Sequence, residues 1–181
     1  MKATILVFAS VLCAHFALAD QGQKTTSLGE TVLQFCKDNL GKQVGGGECA
    51  HLVSAALKAA EARPSLSFAD FPAKGDYVWG ELIYVREVND GVPTEKKIMG
   101  KRIRPGDVIQ FRDAKFMGKK GGGTYNRTSS HHTAVVVELK KNGELAVLHQ
   151  NSNNKRYVFA DAYYLNDLQS GWVRIYTPIP K

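Results

Sequence analysis

Cysteine is scarce. The 181 residues hold three, Cys13, Cys36 and Cys49. A scaffold stapled by disulfides needs more, so the fold has to stand on its apolar core. No Cys/His/Asp set has zinc-ligand spacing. The adjacent pair His131-His132 chelates poorly, because neighbours on a strand point to opposite faces. No metal and no cofactor are therefore expected. There is no internal repeat, no linker and no nucleic-acid motif, so nucleic acid is not an expected partner. Acidic residues are in the minority, 17 against 24 Lys and Arg, for a net charge of +7. The positive charges are scattered, with a denser group at Lys115, Lys119 and Lys120. Such a balance favours an anionic polymer or surface as a partner, although a solvated basic face explains it better.

Long apolar runs are also missing, except at the start. Lys2 precedes an almost wholly apolar stretch over 3–19, interrupted by His15 and ending in Ala17-Leu18-Ala19. The polar run Asp20-Gln21-Gly22-Gln23-Lys24 follows. This is the pattern of a signal peptide cut after Ala19; an uncleaved anchor is the alternative. The expected organisation is a leader over 1–19 and one domain over 20–181, secreted (extracellular or periplasmic) and monomeric. At 44% hydrophobic residues the chain can fill a core of that size.

Helical signals come first. Ser27-Leu28-Gly29-Glu30 is a capping box, and Val32, Phe35, Cys36 and Leu40 follow at helical spacing, with Gly41 as a stop. Cys36 then lies on an apolar face as a small buried hydrophobe. Gly45-Gly46-Gly47-Glu48 is a tight loop leading into a second helix at Cys49, with Leu52, Val53, Ala56, Leu57 and Ala60 inward and Pro64 beyond. From Tyr77 the pattern turns to strands: 82–88, 108–111, 133–139, 144–149, 157–159 and 172–176. Asn89-Asp90-Gly91 and Asn142-Gly143 carry turn chemistry. The polar, Gly-rich stretch 115–130 reads as a long surface loop. Helices before strands in one unit predict an α+β domain.

Cys49 stands out chemically. A glycine turn delivers it to the first turn of a helix, where free N–H groups and the helix dipole favour a thiolate. Local sequence leaves a structural cysteine equally open. His131-His132 begins a strand, and one of the two can face a nucleophile and act as its base. On the strand returning through Asn142-Gly143, His149 and Asn151 are two apart, and either could hold the base in one tautomer. Gln43, six residues before Cys49, is placed to aim an amide at an oxyanion beside the Cys49 N–H. Asn126-Arg127-Thr128 is an N-glycosylation sequon.

These segments together resemble a known group. Val44-Gly45-Gly46-Gly47-Glu48-Cys49 and the apolar helix after it resemble the cysteine segment of CHAP and NlpC/P60 amidases and peptidases. Pro105-Gly106-Asp107-Val108-Ile109-Gln110-Phe111 and His132-Thr133-Ala134-Val135-Val136-Val137 are similar to two further segments of those families. With Tyr77-Val78-Trp79-Gly80 and Gln150-Asn151 added, the ordered set resembles the papain-fold domain of fungal Bbc1/Aim3-type actin-patch proteins, from about Gly41 to Pro178. The resemblance implies a papain-like fold, N-terminal helices packed on an antiparallel sheet or half-barrel. It makes Cys49 the nucleophile and His132 the base. Val147-Leu148-His149 fits the third residue of NlpC/P60 proteins. CHAP proteins use Glu and Asn two apart there, and the Glu is missing. Gln43 has the spacing of the oxyanion glutamine of papain-like proteases, although the Gly-Ser-Cys-Trp context is absent. The implied activity is a thiol hydrolase cutting an amide bond in a peptide or cell-wall-type substrate. A papain-fold binding module with little turnover, or an acyltransferase, is the alternative.

Overall fold

The computed structural model describes residues 26–65 and 76–181. The expected leader lies outside the described residues. Helix α1 spans Leu28–Asp38 and starts as expected: Ser27 Oγ accepts the Glu30 N–H while the Glu30 carboxylate accepts the Ser27 N–H. Its inward residues are Val32, Leu33 and Cys36. Helix α2 spans Cys49–Ala59 and buries Leu52, Val53, Ala56 and Leu57. The two cysteines among the described residues, Cys36 and Cys49, are free thiols.

Seven strands follow among the described residues: β1 (Glu81–Asn89), β2 (Val92–Lys97), β3 (Val108–Lys120), β4 (Gly123–Leu139), β5 (Glu144–His149), β6 (Phe159–Tyr164) and β7 (Leu168–Thr177). They form one sheet in the order β2-β1-β7-β3-β4-β5-β6, every neighbouring pair antiparallel. The architecture is α+β, two helices against one antiparallel sheet. The sheet separates two cores. The helices bury Val108, Val135 and Leu148 with Trp79 and Tyr176. On the other face Ile109, Phe111, Phe116, Ala134, Val136, Val147 and Tyr163 pack together. The alternation along β3, β4 and β5 assigns each side chain to one core or the other.

Two departures from the sequence reading stand out. The expected surface loop over 115–130 is a long hairpin of β3 and β4, turning at Gly121 and Gly122, both with positive φ. One of its faces is solvated and the inward one is mostly polar, with Arg127 and Ser129 beside Phe116 and Tyr125, and a register shift at Asp113, with φ 47°, breaks the period-two pattern that would have exposed it. Strand β2 was also missing from the reading, because Val92–Lys97 is exposed along its whole length and carries no apolar alternation. The Asp90-Gly91 pair joining it to β1 has positive φ at both residues, which suits a two-residue hairpin.

The motif segments tie the sheet together. Trp79, wholly buried, donates its indole N–H to Gln110 Oε1 at 2.8 Å, linking the Tyr77–Gly80 element to β3. Asp107 accepts the Arg104 N–H at 2.7 Å and the Thr177 hydroxyl at 2.8 Å, fixing the turn before β3 against β7. Gly106 is obligatory there: its φ is +87°, and a Cβ would lie 1.9 Å from the Gly29 carbonyl oxygen of α1.

Candidate active site

Cys49 is the first residue of α2, and the loop before it is held from β5 and beyond. Gln150, fully buried, accepts the Val44 N–H and donates to the carbonyls of Val44 and Glu48. Arg156 donates to the Gly46 carbonyl at 2.6 Å and to the Glu48 carboxylate at 2.7 Å. Gly47, with φ +81°, leaves room for Gln43 and Arg156 to close around the loop. The helix start is thus bolted to the chain that leaves β5.

The thiol meets the sheet at a gap. Val136 exchanges its backbone hydrogen bonds with Gly106 and Asp107 on the β3 side. By alternation, Thr133 turns its N–H towards β5. The β4–β5 ladder, however, begins only at Val135↔Leu148. The Thr133 N–H faces the Cys49 thiol instead, and together with the N–H groups of Ala50 and Cys49 it favours the thiolate.

The two histidines lie on the far face. His132, on β4, shares its face with Ala134 and Val136, which belong to the core away from the helices. Facing the Cys49 helix would have required the opposite face; only the N-terminus of α2 comes level with the ring, at Thr133. His132 Nε2 and His149 Nδ1 are 2.8 Å apart, both rings buried. His149 Nε2 lies 3.4 Å from Asp161 Oδ2 on β6. Asp161 also accepts from the Arg127 guanidinium and from the Ala162 N–H. His131 faces the helix side, is exposed, and stacks on Tyr77 at 5.9 Å.

The carboxylate selects the tautomers. With Nε2–H of His149 directed at Asp161, His149 Nδ1 carries a lone pair and accepts from His132 Nε2–H. His132 Nδ1 is then the free base nitrogen. The reverse tautomer would set a His149 lone pair against an anion. Burial alone would raise the Asp161 pKa, but the His149 imidazole 3.4 Å away and the bonds from Arg127 and the Ala162 N–H outweigh it and hold the carboxyl well below the usual range.

The two other candidates are placed differently. Asn151 has φ 60° and lies past the end of β5, so it does not share the His149 face; its amide donates to the Glu48 carboxylate. Gln43 is exposed and its amide donates to the Gly45 carbonyl at 3.3 Å, inside its own loop.

The family model of the AIM3/BBC1 cysteine proteinase-fold domain matches residues 21–181. The chain belongs to that family. A curated relative, the altered inheritance of mitochondria protein 3 of Debaryomyces hansenii, is 28% identical over 153 residues, covering 84% of this chain and 16% of its own length. The chain therefore spans about a sixth of the curated relative it matches. Crystal structures of Ly7917, and of Ly7917 with the hydrolyzing product of MDP, are similar at 18% identity with TM-scores of 0.45 and 0.47. They align over 83% and 84% of this chain and 62% and 63% of theirs.

Electrostatics at the centre of this cysteine proteinase-fold domain differ from the sequence expectation. Burial raises the Cys49 pKa, the Glu48 carboxylate adds to the rise, and the Thr133 and Ala50 N–H groups recover only part. The helix start alone had suggested a lowered value. Burial likewise pushes His132 down to about 3, with His149 and Arg127 contributing, and it lowers His149. Both shifts favour the uncharged forms, a thiol at Cys49 and a neutral imidazole at His132.

Sequence reasoning missed Asp161 and Arg127. Asp161 sits in Phe159-Ala160-Asp161-Ala162-Tyr163, where alternation puts a half-buried acid among aromatics on one face, a signal legible once the strand is known. Gln150 was noted only as half of a Gln-Asn pair, and its buried role follows from lying next to His149 with opposite facing.

Proposed function

We propose that this domain is a secreted thiol hydrolase that cleaves an amide or peptide bond through an acyl-enzyme, acting on a peptide or cell-wall-type substrate. The observation that carries this reading is the chain His132–His149–Asp161, with His132 next in sequence to the Thr133 whose N–H faces the Cys49 thiol. His132 Nδ1 takes the thiol proton as Sγ attacks the substrate carbonyl. The Thr133 N–H and the N-terminal N–H groups of α2 stabilise the charge that develops there. His132 then gives its proton to the leaving amine as the C–N bond breaks. A water, deprotonated by His132, attacks the thioester, and the thiol regains the proton. His149 fixes the tautomer throughout, and Asp161 fixes His149.

The raised thiol supports a second reading. A nucleophile that rests protonated suits a binding module with little turnover, or an enzyme that needs substrate to desolvate and align the pair. The test is an iodoacetamide-type active-site probe on the purified domain, followed by digestion of peptidoglycan and of a peptide library. Labelling of Cys49 that depends on His132, with product release from either material, supports the hydrolase. Labelling independent of His132, with no product, leaves the binding module. Incorporation of an added amine in place of water marks an acyltransferase.

A further inference from the structure

Three cavities of the molecule adjoin one another around the segment that links β2 to β3, on the sheet edge away from Cys49. Their volumes are about 360, 280 and 220 Å³. The first two share Lys101 and Arg102, and the last two share Tyr84, Lys97, Ile103 and Leu139. They form one bent groove. Its middle is apolar: Ile83 and Tyr84 lie beneath, Ile103 lines the wall, and Leu139 is 39% exposed at the rim. Met99, 94% exposed, stands at one end.

The rim is strongly biased in charge. Lys97, Lys101, Arg102, Arg104, Lys140 and Lys141 line the groove, against the carboxylates of Glu81 and Glu95. Both acids are already engaged: Glu81 with Lys101 at 2.7 Å, Glu95 with Lys97 at 2.7 Å and Arg86 at 3.0 Å. Lys140 pairs with Glu144 at 2.7 Å. Arg102, Arg104 and Lys141 have no ion-pair partner among the described residues. A concave apolar floor between uncompensated cations is more than a solvated basic face, which needs neither concavity nor exposed leucine.

We infer that this groove docks an extended acidic peptide with apolar side chains in its middle. The apolar section takes one or two leucine-sized side chains, and the cations at both ends take carboxylates. A flat membrane surface would not use the concave floor, and an anionic polysaccharide would leave the apolar middle unfilled. The neighbouring edge strand β2 carries Pro93 and paired lysines, which oppose strand addition, so recognition runs through side chains. The groove is separate from the thiol site. It lies at the Leu139 end of β4, seven residues along the strand from His132.

The test uses the whole domain and a fluorescein-labelled peptide, Asp-Glu-Asp-Leu-Asp-Leu-Glu-Asp, with binding read by anisotropy. Saturable binding is expected, weakening about tenfold between low and physiological salt. Replacing both leucines by serine should weaken it by about a further hundredfold, roughly tenfold for each buried side chain. Arg102→Glu with Lys141→Glu should abolish it, and Leu139→Ser should weaken it, while Cys49→Ala leaves it unchanged. Those outcomes stand whether or not the domain hydrolyses anything. Equal binding of the serine peptide would reduce the groove to a polyelectrolyte patch and overturn the inference. So would binding of phosphatidylserine vesicles or a sulfated polysaccharide in place of the peptide, or no binding at all.

Discussion

Replacing His149 by alanine tests the relay at its middle. Three consequences follow from the geometry. The 2.8 Å bond to His132 is lost, leaving Nε2 of a nearly buried ring without a partner. An orphaned buried group of this kind costs about 1–3 kcal/mol. The void left against Phe159, whose ring centre is 4.3 Å from that of His149, adds about 2 kcal/mol or more of lost packing. Finally, His132 loses the contact that chooses its tautomer, so Nδ1 is no longer held as the free base. At about 1.4 kcal/mol per factor of ten, a loss of 2–3 kcal/mol in positioning predicts about a hundredfold fall in the rate at which Cys49 reacts. The assay is the second-order rate of iodoacetamide modification near neutral pH, followed by peptide mass spectrometry, with near-ultraviolet circular dichroism to verify the fold. His149→Gln, which can still accept from His132, should recover about a factor of ten of that rate. Asn151→Ala removes a bond at the exposed end of α2 and should change the rate by no more than about threefold. Full reactivity in His149→Ala, or a larger loss in Asn151→Ala, would refute the relay and move the third role to Asn151.

Four further outcomes are expected. His132→Ala should abolish base-assisted reactivity of Cys49 and His131→Ala should spare it; a reversed pair of rates would place the base one residue earlier, on the helix-side face. Cys49 should be alkylated well ahead of the buried Cys36, whose pKa burial pushes up to about 12, and the Cys49 rate should climb above neutral pH because its own pKa is raised; a plateau below neutrality would show a lowered one. Urea midpoints should fall as pH drops from 6.5, because the unfolded chain takes up protons that His132 refuses until about 3; Asp107, raised from 3.8 to about 6, works the other way and offsets part of that fall across its own window, so Asp107→Asn should steepen it. The mature N-terminus of secreted material should be Asp20, and N-terminal sequencing that finds Met1 would exclude cleavage after Ala19.

Part of this protein is readable from order and period alone. The capping box at Ser27 starts α1 because its partners are three residues apart. The glycine loop and Cys49 mark the start of α2 for the same local reason. His132 and His149 could be paired from the Asn142-Gly143 turn, since a hairpin brings its own two strands together. What the sequence could not reveal was set by contacts distant along the chain. Asp161 enters through the neighbour of the neighbouring strand, Gln150 clamps Val44 from more than a hundred residues away, and the 115–130 hairpin hides behind an inward face that is mostly polar. The protonation of the centre is of the same kind. A helix start predicts a lowered thiol, but the pKa depends on what covers the group, and burial of Cys49 and His132 comes from both sheet faces at once. Local spacing names the candidate residues; desolvation by the packed sheet decides their charge.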